Sequence, residues 1–255
     1  MKKAVNQFPL AYQDPEFLAS EDARPLRIIS EYLDPLRRLR RQRVRDTIVF
    51  FGSARLSADG PLGRFYADAR ELARLATAWS AGLPSHVRRF VVCSGGGGGI
   101  MEAANRGAQE AGGRSIGLNI SLPHEQQPNA YVTPELLFKF RYFFMRKLWF
   151  AHLARAMVVF PGGFGTLDEL MEILTLAQTL KLGRKIPVIL YGTAYWNEII
   201  NFQALVRHGM ISPEDLQLFE FADDPAAALK LVKDAIEVEP EETTPSFAHS
   251  RSRGA

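Results

Sequence analysis

The sequence contains very little that could cross-link or anchor the chain. Cys93 is its only cysteine, so neither an internal disulfide nor a cysteine-based metal site can form. No run of about 18 apolar residues is present, and the first residues lack the apolar stretch of a signal peptide. The histidines are scattered without ligand spacing: His86, His124, His152, His208 and His249. We therefore expect a cytoplasmic protein without membrane contact or metal.

Negative charge is scarce in one segment. Residues 36–45, LRRLRRQRVR, carry six arginines, whereas the whole chain has a net charge of only +3. Such a segment can bind nucleic acid, or it can be the solvated face of a helix whose Leu36, Leu39 and Val44 pack inward. No aromatic side chain that could stack on a base lies within it. We therefore favour the solvated helix and expect no nucleic-acid partner.

Five short apolar runs predict β-strands. They begin near residues 47, 89, 114, 156 and 185, and segments with helical spacing separate them. Strands that are apolar throughout and alternate with helices predict a parallel sheet covered on both faces. The sequence therefore predicts a doubly wound α/β fold over residues 46–236. A helical extension over 1–45, interrupted near Pro25 and Pro35, precedes it, and a disordered tail over 237–255 follows.

Three glycine-bearing loops follow predicted strands. They are Gly52-Ser53, Gly95 to Gly99, and Gly162 to Gly165. Where such a loop opens a helix, its backbone N–H groups can hold a phosphate. The second loop lacks the Lys-Ser/Thr of a nucleoside-triphosphatase loop, and the strand after it has no acid for a dinucleotide ribose. A mononucleotide is therefore the favoured ligand.

The stretch Thr166-Leu-Asp-Glu169 has two interpretations. It can be a capping box, in which each side chain covers the other residue's backbone N–H. Alternatively, Glu169 is a carboxylate that stabilises a sugar cation when an N-glycosidic bond breaks. Three glycines just upstream favour the second interpretation. Arg146, in the aromatic segment FRYFFMRKLWF (140–150), is the candidate partner of this carboxylate.

The segments FMRK (144–147) and PGGFGTLDE (161–169) together resemble the LONELY GUY (LOG) family of cytokinin riboside 5′-monophosphate phosphoribohydrolases. Its members carry an Arg-Lys pair followed by PGGxGTxxE, and every fixed position matches here. The Gly52-Ser53 turn, the loop and helix SGGGGGIMEAAN and the segment PVILYGTAYW are also similar to the family. The resemblance spans roughly residues 46–220.

The resemblance implies a Rossmann-like, cytosolic dimer or larger homo-oligomer. It implies hydrolysis of nucleoside 5′-monophosphates to free base and ribose 5-phosphate without a cofactor, with Arg146 and Glu169 as the catalytic pair. Glu125, in LPHEQQPN, is matched to an acid that family members place before the Arg-Lys pair. The remaining expected nucleotide contacts are Gly52, Ser53, Gly96, Gly97, Lys147, Gly162, Gly163, Phe164, Gly165, Thr166, Leu167, Asp168 and Thr175.

Several alternatives stay open at the level of sequence. The Arg-rich extension and the segment NISLPHEQQPNAYV depart from compact family members, so the base can be a cytokinin, adenine or another. His208 is a candidate acid for the leaving base, although a surface role is favoured. A non-catalytic carrier of a phosphate-bearing ligand such as molybdenum cofactor needs neither Arg146 nor Glu169. The older family label, lysine decarboxylase, has no support at these motifs.

Overall fold

The computed structural model describes residues 9–84, 89–122 and 127–236. The extension forms α1 (Pro15–Ala19) and α2 (Arg24–Arg41), with a short 3₁₀ turn before them. The strands are β1 (Asp46–Phe51), β2 (Phe90–Ser94), β3 (Ser115–Ile120), β4 (Leu137–Phe140), β5 (Ala154–Val159), β6 (Val188–Tyr191) and β7 (Glu220–Ala222). The other helices are α3 (Gly63–Gly82), α4 (Ile100–Glu110), α5 (Phe143–Leu153), α6 (Phe164–Gln178), α7 (Thr193–Ile199), α8 (Phe202–Arg207) and α9 (Pro225–Ala235).

The strands of the described residues form one parallel sheet in the order β4-β3-β2-β1-β5-β6-β7. The chain builds outward from β1 to β4, and then crosses back to place β5 on the other side of β1. In open α/β sheets, the carboxyl ends of the two strands at such a switch point border a crevice. The loops after β1 and β5 therefore meet at the edge where a ligand is expected.

Two apolar clusters cover the two faces of the sheet. One packs α3, α4 and α9 against side chains such as Ile48 and Val92. The other packs α2, α5, α6 and α7 against the alternate side chains, such as Val49 and Cys93. Because the central strands β1, β2, β5 and β6 contribute to both clusters, their sequences are mostly apolar. The predicted doubly wound fold is confirmed.

The structure differs from the sequence-based expectation in its number of strands and at Pro35. Strands β4 and β7 were not predicted, and Phe138 and Phe140, which the sequence places with the helix of Arg146, lie in β4. Pro35 does not interrupt the extension, because α2 continues through it. The predicted disordered tail, 237–255, lies outside the described residues.

The arginines of α2 are largely engaged with the protein itself. Arg38 donates to the backbone oxygens of Glu135 and Leu137 and lies over the ring of Phe138. Arg37 pairs with Asp34 on the surface of the helix. These contacts fit the solvated-helix interpretation. Within the described part of the chain, no helix is long and apolar enough to span a bilayer.

Candidate active site at the switch point

A cavity of about 420 Å³ opens where the loops after β1 and β5 meet. Ser53 joins the two loops, since its backbone N–H donates to the carbonyl of Pro161 at 3.0 Å. Tyr195, from α7, donates its hydroxyl to the Gly162 carbonyl at 2.8 Å and closes one side. The lining residues are Ser53, Arg55, Leu56, Ser57, Gly60, Pro61, Leu62, Pro161, Gly162, Gly163 and Tyr195.

Helix α6 begins inside the glycine loop rather than after it. Gly163 is the N-cap and offers no side-chain hydrogen bond, and Phe164 is the first helical residue. Thr166 and Glu169 are therefore interior helical residues, so the capping-box interpretation of Thr166-x-x-Glu169 is wrong. The first backbone N–H groups of the helix have no helical acceptors and point toward the loop.

The glycines of this loop differ in what surrounds them. A Cβ on Gly162 would lie 2.1 Å from Thr166 Oγ1, so the first turn of α6 requires glycine there. A Cβ on Gly163 or Gly165 would meet no atom within 4 Å. Phe164, between them, is 92% exposed. Contacts within the described chain therefore explain Gly162 but not Gly163 or Gly165.

Arg146 and Glu169 form a buried ion pair beside this loop. Arg146 Nη2 lies 2.9 Å from Glu169 Oε1, and the two side chains are 15% and 6% exposed. Phe143 and Phe150 flank the guanidinium at 5.3 and 5.8 Å from their ring centroids. The Nε of Arg146 is buried and has no hydrogen-bond partner among the described residues. Neither residue lines the cavity.

Burial raises the pKa of Glu169 to about 7, although the charges of Arg146 and Lys147 oppose the rise. The carboxylates of Glu172 and Asp168 add to it. Burial and the neighbouring carboxylates therefore outweigh the tendency of Arg146 to keep Glu169 ionised. A carboxyl group with a pKa near 7 exchanges protons readily at neutral pH, as a general base requires.

Lys147 bridges two carboxylates on the next face of α6. Its Nζ lies 2.7 Å from Asp168 Oδ2 and 2.9 Å from Glu172 Oε2. Burial lowers the pKa of Lys147, but the hydrogen bonds to Asp168 and Glu172 outweigh that effect and the net shift is upward. Lys147 is therefore a fixed cation that ties α5 to α6.

The glycine loop after β2 is buried and is held by hydrogen bonds from the protein itself. Gly96 and Gly97 are buried, and Asn129 binds their carbonyls through its backbone N–H and its side-chain amide, both at 2.8 Å. Asn105 receives hydrogen bonds from Ser94 and Asn129 in the same network. Neither Gly96 nor Gly97 lines the cavity, so their role as ligand contacts remains a prediction.

The other expected contacts are spread along the neighbouring elements. Gly52 packs against Ile100, whose Cβ would lie 2.7 Å from a Cβ at position 52. Leu167 is half-buried, Thr175 is exposed and donates to the Met171 carbonyl, and His208 is exposed. Glu125 lies outside the described residues.

Of the residues that line the cavity, sequence reasoning named Ser53, Gly162 and Gly163 as contacts, and Arg55 and Tyr195 are among those that it missed. Arg55 lies in GSAR, at the end of a predicted strand, and Tyr195 lies in GTAYW, which is part of the family resemblance. No spacing rule, however, distinguishes these two residues from surface residues. Across the described ranges, no cluster of His, Cys, Asp and Glu side chains is arranged to hold a metal ion.

Comparisons with known proteins agree with these motifs. A family model described as "Possible lysine decarboxylase" matches residues 101–232, about half of the chain. A cytokinin riboside 5′-monophosphate phosphoribohydrolase of Arabidopsis thaliana is 38% identical over 97 residues, which are 38% of this chain and 43% of the relative. A probable enzyme of the same name from Oryza sativa subsp. japonica is 29% identical over 148 residues, 57% of this chain and 63% of the relative. The chain thus spans about half the length of these relatives.

Two solved structures share the fold. The structural-genomics target TM1055 superposes with a TM-score of 0.53 and 22% identity, covering 74% of this chain and 99% of that one. A molybdenum cofactor binding protein from Rippkaea orientalis gives a TM-score of 0.51 and 18% identity, covering 74% and 96%. At these identities the comparison extends to the fold alone.

Proposed function

The chain belongs to the LOG family, the family that the matching model describes as possible lysine decarboxylase, and we propose that it hydrolyses the N-glycosidic bond of nucleoside 5′-monophosphates. The products are the free base and ribose 5-phosphate. The observation that carries this proposal is the buried Arg146–Glu169 pair beside a glycine loop with two unfilled positions.

The glycine loop is the proposed phosphate site. The first N–H groups of α6, from Phe164 to Thr166, carry the positive end of the helix dipole and lack helical acceptors. Gly163 and Gly165 leave open space at that point, which allows a bulky anion to approach the backbone. Glycine at position 165 lowers the stability of the helix by about 1 kcal/mol relative to alanine, and ligand contact is a reason to retain it.

Glu169 is the proposed catalytic carboxylate. When the bond from C1′ to the base nitrogen breaks, its electron pair leaves with the base and positive charge develops on the ribose. The ionised Glu169 stabilises that charge and accepts a proton from the water whose oxygen bonds to C1′. The departing base takes up a proton from solvent, and Glu169 then releases its own proton to solvent. A pKa near 7 makes both forms of the carboxyl group accessible at neutral pH.

Arg146 is the proposed partner that orients Glu169. Its Nη2 holds one carboxylate oxygen, and cation–π contacts with two phenyl rings help to hold the guanidinium in place. Its buried Nε is a further donor, and a substrate oxygen can accept a hydrogen bond from it. Expected contacts elsewhere, including Lys147, Asp168, Ser53 and Thr175, belong to the same proposal.

Lysine decarboxylation is not the function that we propose. A Schiff-base lysine must lose its proton to attack an aldehyde, and enzymes usually lower its pKa for that purpose. The pKa of Lys147 is instead raised by its two carboxylate partners. A carrier for molybdenum cofactor shares the fold, but such a protein has no need of a buried Arg146–Glu169 pair.

We also propose that the protein is a homo-oligomer that acts inside the cell. Phe143, Phe144 and Leu148 on α5 are 50, 49 and 41% exposed, and large apolar side chains grouped on a surface are typical of interfaces. Size-exclusion chromatography with light scattering tests this proposal. A monomer at micromolar concentration would contradict it.

One assay tests the hydrolase proposal. The purified protein is incubated with cytokinin riboside 5′-monophosphate, AMP, GMP, CMP and UMP, and free base and ribose 5-phosphate are measured by chromatography. We expect turnover of at least one nucleotide and none of the matching nucleosides, because the glycine loop requires the phosphate. A well-folded protein that turns over no monophosphate would refute the proposal.

A further inference from the structure

We infer that the N-terminal extension holds α5, the helix that carries Arg146, in place, and that Glu31 in α2 is a positioning residue for Arg146. This inference rests on the proposed function in one respect, because it takes Arg146 as part of the catalytic pair. The contacts themselves are independent of any substrate. They join two elements that are far apart in sequence.

The first contact is a cap supplied from another helix. Tyr142 is the N-cap of α5, and its own side chain makes no capping hydrogen bond. The carboxylate of Glu31 accepts the backbone N–H of Arg141 at 2.7 Å through one oxygen and that of Tyr142 at 3.2 Å through the other. A negative charge at this end also favours the helix dipole. Glu31 therefore caps the helix that carries Arg146.

The second contact uses the backbone of the same residue. Pro35 lies inside α2 and has no N–H to donate to the carbonyl four residues earlier, which belongs to Glu31. That carbonyl accepts instead the indole N–H of Trp149, from the middle of α5, at 3.0 Å. The ring of Tyr32 stacks on Trp149 at 5.5 Å between centroids. Pro35, which was expected to interrupt the extension, thus leaves the Glu31 carbonyl free to accept a hydrogen bond from α5.

These contacts lie on either side of Arg146. The cap fixes the residues before α5, and Trp149 lies three residues beyond Arg146. The backbone N–H of Arg146 donates to the Tyr142 carbonyl, so Arg146 closes the first hydrogen-bonded turn after the capped residue. If that turn frays, the guanidinium moves relative to Glu169. Arg27 adds a longer contact, 3.4 Å, from its Nε to the Tyr142 hydroxyl.

The test compares Glu31→Ala with Glu31→Gln. Alanine removes both acceptor oxygens, whereas glutamine keeps one and removes the charge. The first readout is the pKa of Glu169, measured by NMR of ¹³C-labelled glutamate in the ligand-free protein and assigned by Glu169→Gln. Arg146 and Lys147 lower this pKa, and Glu172 and Asp168 raise it. We expect Glu31→Ala to raise it because Arg146 recedes, and Glu31→Gln to raise it less.

The second readout is kinetic. We expect Glu31→Ala to lower kcat about 10-fold with a smaller change in KM, because misplacement of a catalytic group slows the chemical step. Two controls separate this from other effects. Glu21→Ala removes an exposed negative charge from the same extension, and Val232→Ala weakens the core on the opposite face of the sheet. Neither is expected to shift the Glu169 pKa, although Val232→Ala lowers the melting temperature.

The outcomes are distinguishable. An unchanged Glu169 pKa in folded Glu31→Ala overturns the positioning role, whether or not the protein is a hydrolase. A fall of similar size in the Glu169 pKa in Glu31→Ala and Glu31→Gln also overturns it, because that is the effect of removing a negative charge at a distance. If no nucleotide is hydrolysed but the pKa shifts as expected, the proposed function fails and the positioning of Arg146 stands.

Discussion

The two glycine-rich loops of this protein look alike in sequence and are built for different purposes. In the loop after β2, Gly99 has φ of +62°, and a Cβ there would lie 2.1 Å from the Ser53 carbonyl oxygen. In the loop after β5, Gly163 and Gly165 face open space. Gly99 is required because the fold leaves no room for a side chain there, whereas Gly163 and Gly165 leave room that the fold does not use.

The acidic residues that follow the two loops differ in the same way. Glu102, in the first turn of α4, accepts the hydroxyl of Tyr66 at 2.8 Å in a partly buried contact. Glu169, in α6, is 6% exposed and pairs with Arg146. The two acids follow similar loops, but the surroundings of each acid decide whether chemistry can follow.

The largest expected effect distinguishes these two acids. Glu169→Gln should lower kcat for nucleotide hydrolysis by about 10³-fold, because an amide can neither accept the proton of water nor balance the charge on the ribose. Glu102→Gln is the matched control and should retain activity within about 2-fold. Steady-state kinetics on both variants measures this. Comparable losses in the two would remove the functional distinction between the loops.

The next effect concerns the packed loop. Gly99→Ala should lower the free energy of unfolding by more than about 3 kcal/mol, since alanine disfavours this φ and its methyl group collides with the backbone of Ser53. Urea denaturation followed by circular dichroism measures the change. A loss below about 1 kcal/mol would show that this loop can rearrange, contrary to its packing.

A smaller effect follows from the pKa of Glu169, which is raised from 4.5 in the unfolded chain to about 7 in the folded protein. Between these values the folded state binds more protons than the unfolded state, so stability falls as pH rises through this window. Glu169→Gln lacks this dependence. The stability of the variant relative to the parent should therefore rise by about 3 kcal/mol from pH 4.5 to 7.5.

Thermal melts of both proteins across this range measure that difference. The activity of the parent should rise over the same interval and level off above pH 7, because the ionised carboxylate is the active form. A difference in stability that is flat with pH would mean that Glu169 keeps an ordinary pKa in the folded protein.

The smallest effect on stability has the opposite sign. Gly165→Ala should raise the free energy of unfolding by about 0.5 to 1 kcal/mol, because alanine favours the helix and its methyl group meets no atom. The same methyl group should lower kcat/KM about 10-fold if it occupies the space of the phosphate. Gly183→Ala, in the open turn after α6, has φ of +67° and serves as a glycine control remote from the loop. Full activity in Gly165→Ala would argue against phosphate binding at this turn.

Much of the fold could be predicted from the sequence because its central strands are buried on both faces. A strand such as β1 contains a continuous apolar run, Ile48 to Phe51, and the helices between the strands keep their 3.6-residue spacing. Strands β4 and β7 could not be found in this way. They are four and three residues long and stand at the two edges of the sheet. The first also merges with an aromatic segment that continues into α5.

The candidate site was predictable in part for a similar reason. The Arg146–Glu169 pair, proposed from the sequence, forms in the structure at 2.9 Å. The start of α6 was misjudged because a Ser/Thr-x-x-Glu pattern is typical of a helix cap, whereas a glycine N-cap leaves no signal of its own. The cap from Glu31 could not be predicted, since nothing local links residue 31 to residue 142.

The position of β1 between β2 and β5 has a consequence for biosynthesis. The loop after β1 emerges from the ribosome well before the loop after β5, and β5 must find β1 past the already paired strands β2 to β4. Pairing across such a sequence separation is slow, because the closure of a long loop precedes any gain from contact. The cavity between these loops thus has both walls only after the second half of the sheet has docked. Competence to bind therefore requires the finished sheet, because a half-sheet of β1 to β4 would lack the loop after β5.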